Sequence, residues 1–232
     1  MDCMSSNVES LLPLNISARL RCDEELLPPS SFLIDIGTDH AKLPISLLHR
    51  GIVSKAWGVD VNRAPLNRAA LNARPYSFAK EQFRCVLSDG FSQLKFTQKA
   101  SVSMADMGGR QMIRILSSQG DLPVEYLVLQ PNGKEDELRS WLWNRGWLTE
   151  NETIIKERNR FYVTMLFSKT QGTVGGEYEA RYGPILLKNR PSIWEEWLEQ
   201  ELRMLLKARK RAGSSFSDRK NKIILEIQTI LN

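Results

Sequence analysis

The chain has 232 residues, 42% hydrophobic and 25% charged, with 14 Gly, 10 Pro and a net charge of +5. That balance excludes a disordered chain, a collagen-like repeat and a disulfide-stapled scaffold, and the length allows one domain of about 150–200 residues plus a smaller appendage. The positive charge permits a nucleic-acid partner without demanding one.

The sequence nowhere strings together the roughly 18 apolar residues of a membrane span, so no membrane association is expected. The stretch from Met1 to Pro13 lacks the basic-then-apolar order of an export signal, which makes a cytoplasmic location the expectation. Cys3, Cys22 and Cys85 form no CxxC pair and read as free thiols used for packing. His40 and His49 are too few for a His-rich metal site, so no metal is expected.

From Ser31 onward short apolar runs alternate with helical patterns. Residues 32–36 read as a buried strand ending at Gly37, and 43–50 as a helix closed by Gly51. Residues 56–61 form a second strand, and 64–73 a helix that Pro75 stops. A third strand over 83–87 turns at Ser88-Asp89-Gly90. A fourth, 100–105, precedes a helix over about 110–117. A fifth, 125–129, leads through Gln130-Pro131-Asn132-Gly133 into a helix over 135–145, ended by Gly146. Strands separated by helices argue for βαβ units and a parallel sheet.

The pattern then changes. Residues 149–157 and 161–167 are strand-like and joined only by Arg158-Asn159-Arg160, a connection that can link only antiparallel neighbours. Five β/α units closed by a hairpin predict an α/β fold of the class I methyltransferase type, a Rossmann-like sheet with its last strand inserted antiparallel.

This reading assigns 1–170 to a catalytic domain and 171–190, which opens with QGTVGG, to a linker. It assigns 191–232 to a C-terminal antiparallel helical hairpin. Trp194, Trp197, Leu198, Leu202 and Leu205, then Ile223, Ile224, Ile227, Ile230 and Leu231, recur at helical spacing on either side of Ala212-Gly213-Ser214-Ser215. Arg203, Lys207, Arg209, Lys210, Arg211, Arg219, Lys220 and Lys222 gather around that turn. They fit either a solvated helix end or a tip that touches phosphates.

In open α/β sheets ligands bind beyond the carboxyl ends of the strands, at the switch in strand order. After the first strand comes Asp35-Ile36-Gly37-Thr38-Asp39-His40-Ala41. Asp39 stands where a dinucleotide fingerprint has its second glycine. A carboxylate there would repel a pyrophosphate but attract the ammonium and sulfonium of S-adenosylmethionine.

Asp60 ends the second strand, placed to accept from ribose hydroxyls. Asp89-Gly90 ends the third, where a carboxylate can accept from an adenine amino group. Turn-stabilising aspartates are common, but three at successive strand ends support a joint role. Ala105-Asp106-Met107-Gly108-Gly109 ends the fourth strand, with two glycines for close ligand approach or tight helix packing. Gln130-Pro131-Asn132 places further polar groups at the same rim. His40 and His49 read as supporting residues and the six tryptophans as core.

The segments Ile34-Asp35-Ile36-Gly37-Thr38-Asp39-His40-Ala41-Lys42-Leu43-Pro44, Asp106-Met107-Gly108-Gly109, Leu129-Gln130-Pro131-Asn132 and Tyr182-Gly183-Pro184-Ile185-Leu186-Leu187 occur in this order. Together they resemble the bacterial tRNA (adenine-22 N1)-methyltransferase family. The resemblance implies a class I methyltransferase fold with a helical hairpin, S-adenosylmethionine as cofactor and N1 of a tRNA adenosine as acceptor. It implies that Gly37 and Asp39 line the cofactor, that Asp60 binds its ribose and Asp89 with Gly90 its adenine, and that Met107, Gly108 and Asn132 border the target base; Asp35 and Asp106, at the same strand ends, are further candidate cofactor contacts.

Two departures stand out: Asp60 where relatives carry Glu, and Asp106 where a small residue is usual. Asp39 and Asp106 are the candidate catalytic carboxylates, with Asp39 ranked first because the resemblance covers it. Arg209, Lys210 and Arg211 are the candidate tRNA contacts, and a monomer is favoured. The alternatives are a non-catalytic RNA-binding module on the same fold, or a methyltransferase of a small molecule or protein. A nicotinamide oxidoreductase ranks below both.

Overall fold

The structure is a computed structural model that describes residues 15–232; Cys3 and the stretch from Met1 to Pro13 lie outside the described residues. Seven strands form one sheet: β1 (Ser30–Ile36), β2 (Val53–Asp60), β3 (Phe83–Leu87), β4 (Ala100–Met107), β5 (Val124–Pro131), β6 (Leu148–Glu157) and β7 (Arg160–Ser168). Their order is β3-β2-β1-β4-β5-β7-β6. The first five are parallel, and β7 runs antiparallel between β5 and β6.

The residues explain this arrangement. Phe32 through Ile36 of β1 are all buried, the unbroken run expected of a strand covered on both faces. The β6–β7 turn is only Arg158-Asn159, both at positive φ (47° and 66°). That turn geometry matches the twist of antiparallel strands.

Nine helices pack around the sheet among the described residues: α1 (Ala18–Leu26), α2 (Lys42–His49), α3 (Arg63–Ala73), α4 (Gly109–Ser117), α5 (Glu135–Trp143), α6 (Glu177–Tyr182), α7 (Pro184–Asn189), α8 (Ser192–Ala212) and α9 (Asp218–Leu231). The expected strands and long helices are present, with ends shifted by one to three residues. The sequence pattern had no counterpart to α1.

The segment 171–190, expected as a linker, is partly helical and packed. It holds α6 and α7, and its Tyr182 and Leu186 lie in the main core. A fully buried ion pair fastens it: Arg139 of α5 meets Glu152 of β6 at 2.6 Å. Arg139 also donates to the Ala180 carbonyl at 2.7 Å, and the Ile185 N–H donates to Glu152 at 3.0 Å. Each charge is thus hydrogen-bonded to the segment as well as to its partner, which a buried pair requires.

The base of the α8–α9 hairpin shares that core, since Trp194, Leu198, Ile224 and Ile227 cluster with Val102, Leu127 and Phe167 of the sheet. The hairpin is rooted in the α/β core at its base.

Candidate active site

The switch in strand order falls between β1 and β4, and the expected carboxylates gather at the strand ends there. The loop leaving β1 turns at Gly37 (φ 79°), and a Cβ at this position would stand 2.8 Å from the terminal methyl of Met107. The N–H groups of Gly37 and Thr38 both donate to the Val59 carbonyl, at 2.8 and 3.0 Å, tying the loop to β2. Asp60 ends β2 and accepts the Asn62 N–H through Oδ1 at 2.8 Å. Gly90 (φ 57°) follows β3, and a Cβ there would lie 2.7 Å from Ile115. A cleft of about 380 Å³ runs along this edge, lined by Asp60, Val61, Asp89, Gly90, Met107 and Ile115 among others. Val61 is 60% exposed and gives the cleft an apolar face.

A second cleft of about 290 Å³ adjoins it, lined by Arg19, Leu20, Asp35, Asp39 and His40 among others. The two share Gly37, Ala105 and Asp106. Asp35 is buried beneath the shared loop; burial raises its pKa, and the Ser103 hydroxyl, donating to Oδ1 at 2.7 Å, opposes that rise.

Asp39, in the left-handed region (φ 45°), sits at the exposed rim. Its carboxylate takes Arg68 at 3.0 Å and stands 3.2 Å from His40 Nε2. Asp89 is likewise engaged, by Arg114 at 3.2 and 3.3 Å. Asp106 is also left-handed (φ 59°), at a register irregularity between β4 and β5. It meets Arg19 of α1 fork to fork, Nη1 to Oδ1, and Nη2 to Oδ2 at 2.7 Å.

The Asn132 N–H donates to the Met107 carbonyl at 2.9 Å, with Gly108 next to Met107 in the chain; of the three, only Met107 stands on a wall of the two clefts. A Cβ at Gly109 would sit 2.7 Å from the Lys134 carbonyl, so Gly109 serves packing, whereas a Cβ at Gly108 would meet nothing within 4 Å.

Gln130 departs from the expected rim position. It is buried, and its amide donates to Asp23 at 3.0 Å, to Thr164 at 2.7 Å and to the Arg19 carbonyl at 3.3 Å. Thr164 in turn donates to Asp23 at 3.1 Å. This network seats α1. Burial pushes the Asp23 carboxyl up to about 8, against the Thr164 hydrogen bond and with help from the Asp35 charge.

The element lining the second cleft that the sequence pattern did not reveal is α1, through Arg19 and Leu20. Its one usable signal was Ser17, which caps the helix by accepting the Leu20 N–H at 3.3 Å.

Arg203 pairs with Glu199, Arg219 with Asp136, and Lys222 with Glu177 and Glu226. These three cations are thus less free than a uniformly basic tip would have them. Arg209, Lys210 and Arg211 are exposed, in the last turn of α8, and make no ion pair among the described residues. Cys22 is buried and its thiol is pushed up to about 11 by that burial; Cys85 is half-buried and shifted the same way.

A mostly parallel seven-stranded sheet with β7 inserted antiparallel, and acid-lined clefts at its switch point, defines a class I methyltransferase fold. The sequence profile of the tRNA (adenine(22)-N(1))-methyltransferase family matches residues 33–231, and the chain belongs to that family.

The Bacillus subtilis tRNA (adenine(22)-N(1))-methyltransferase is 26% identical over 202 residues, covering 82% of each chain. The crystal structure of a candidate tRNA (m1A22) methyltransferase from Streptococcus pneumoniae is similar with a TM-score of 0.86 at 30% identity, covering 94% of this chain and 100% of that one. A second structure of that protein, with S-adenosyl-L-methionine bound, gives a TM-score of 0.83 at 29% identity, with coverage of 94% and 100%. Among the described residues no helix is long and apolar enough to cross a membrane.

Proposed function

We propose that this chain transfers a methyl group from S-adenosylmethionine to N1 of adenosine 22 in tRNA, in the cytoplasm. The observation that carries the reading is the meeting of two acid-lined clefts at Gly37 and Asp106, at the switch point of the sheet.

The larger cleft fits the cofactor. Among the described residues Asn62 engages only Oδ1 of Asp60, which leaves the other oxygen for ribose hydroxyls. Val61 and Ile115 offer apolar surface to an adenine ring, and Gly37 and Gly90 hold left-handed turns (φ 79° and 57°) that a side chain would strain. Asp60, which makes no ion pair among the described residues, gives this cleft a negative charge that suits a cationic ligand and disfavours a pyrophosphate; Asp89 on the same wall is balanced by Arg114, and Asp35 and Asp39 line the adjoining cleft. When bound, the cofactor supplies an electrophilic methyl group on sulfur.

The chain's part is to hold and aim. N1 of adenine carries an in-plane lone pair, so it needs no general base; it must be unpaired and held in line with the methyl group. Methylation leaves a positive charge shared with the 6-amino group. A carboxylate accepting from that amino group is then stronger in the transition state than in the ground state. We assign this role to Asp106, on the wall common to both clefts, ahead of Asp39, which lines only the smaller one. Met107, Gly108 and Asn132 border the base, and Arg209, Lys210 and Arg211 at the tip of a 191–232 arm grip the tRNA backbone.

Incubation of unmodified tRNA with the protein and methyl-labelled cofactor, followed by nucleoside mass spectrometry, tests the reading. Label in 1-methyladenosine is expected. Label in another nucleoside, or none, contradicts it.

A further inference from the structure

We infer that Arg19 is a positioning residue for methyl transfer, acting through Asp106; the inference rests on the activity proposed above. An exposed carboxylate on an irregular strand end is free to rotate. Here both oxygens of Asp106 are held by one guanidinium, the planar fork that matches a carboxylate.

Arg19 is itself held on several sides. Its guanidinium lies over the Tyr162 ring at 4.7 Å and stands 3.4 Å from Glu157. Its backbone carbonyl accepts from Gln130 at 3.3 Å. The chain of fixation therefore runs from the buried Asp23–Gln130–Thr164 network, through α1 and Arg19, to Asp106.

Two consequences favour reaction. A carboxylate offers about four lone-pair sites; Arg19 uses two and leaves acceptor capacity for the 6-amino group of an adenine in the cleft. Arg19 with Asp106 and Glu157 also carries one net formal negative charge. A positive charge developing on the base beside this trio is stabilised rather than repelled, and the fixed orientation removes the cost of turning the carboxylate at the moment of reaction.

Single-turnover rates at saturating tRNA and cofactor, with cofactor affinity measured alongside, test this in Arg19→Gln, Arg19→Lys, Asp106→Asn and the Arg19→Gln/Asp106→Asn double variant. Arg19→Gln and Asp106→Asn should each slow transfer at least about tenfold, and Arg19→Gln, which lies off the larger cleft, should leave cofactor affinity unchanged. The double variant should be no slower than the slower single one, since both act through one ion pair. Arg19→Lys keeps the charge without the fork and should recover part of the rate.

A wild-type rate in Arg19→Gln, multiplying losses in the double variant, or full recovery by Arg19→Lys would each overturn the inference. A wild-type protein that leaves tRNA unmethylated would instead fail the activity reading on which it rests.

Discussion

In the larger cleft every polar candidate sits at a strand end or within two or three residues of one: Gly37 after β1, Asp60 in β2, Asp89 and Gly90 after β3. In the smaller cleft the deciding interactions cross the chain. Arg19 reaches Asp106 over 87 positions, and Asp23 reaches Gln130 and Thr164 over 107 and 141. The proposed cofactor side is thus assembled by the turns of the sheet itself, and the proposed base side by a helix docked onto it through buried polar groups. A change in the first should act locally. A change in the second should travel through α1.

The largest separation between the two sides should appear in the pH dependence of folding stability. Asp23 is neutral in the folded protein up to about pH 8, whereas an unfolded aspartate ionises near pH 3.9. Between those values the folded state holds a proton that the unfolded chain has released, so stability falls as pH rises, by up to about 1.4 kcal/mol per pH unit. Asp23→Asn removes the proton. Its stability relative to wild type, read from denaturant unfolding at pH 5, 6 and 7, should therefore grow with pH, and a constant difference would detach Asp23 from this account.

Next in size, Asp60→Ala should weaken S-adenosylmethionine binding by about 1.5–3 kcal/mol, the scale of hydrogen bonds to a charged group, with tRNA affinity unchanged. Calorimetry checks the first part and filter binding the second. Thr164→Val keeps the volume but leaves Asp23 and Gln130 short of a partner, which should cost about 1–3 kcal/mol of stability; thermal unfolding measures it.

The smallest expected effect is at the hairpin tip. Reversing Arg209, Lys210 and Arg211 should flatten the slope of log tRNA affinity against log salt by roughly 0.7–0.9 for each phosphate that the tip ceases to neutralise. An unchanged slope in the folded variant would confine the hairpin to a packing role.

The contrast also explains what could be read beforehand. Buried parallel strands show as apolar runs, and aspartates at their ends lie beside the turns that mark those ends. The sheet order and the Gly37, Asp60 and Asp89 positions were legible for that reason.

The sequence of α1, ARLRCDEEL, buries Cys22, Asp23, Glu24 and Leu26. Two acids on a buried face defeat any apolar-periodicity argument, and their partners are far away in the chain. Gln130 was placed at the rim for the same reason: nothing near it in sequence announces Asp23 or Thr164. The six-residue helices α6 and α7 are too short to display a period. Their anchors, Arg139 and Glu152, are charged residues with no local sign of burial.

The division of labour between the clefts is tested most directly by one titration: the single-turnover methylation rate of tRNA as a function of S-adenosylmethionine concentration, for wild type, Asp60→Ala and Thr164→Val. Asp60→Ala should shift half-saturation to higher cofactor while approaching the wild-type plateau. Thr164→Val should keep the wild-type half-saturation and lower the plateau, because α1 no longer holds Arg19 against Asp106. A lowered plateau without a shift in Asp60→Ala, or a shifted half-saturation with a full plateau in Thr164→Val, would contradict the account.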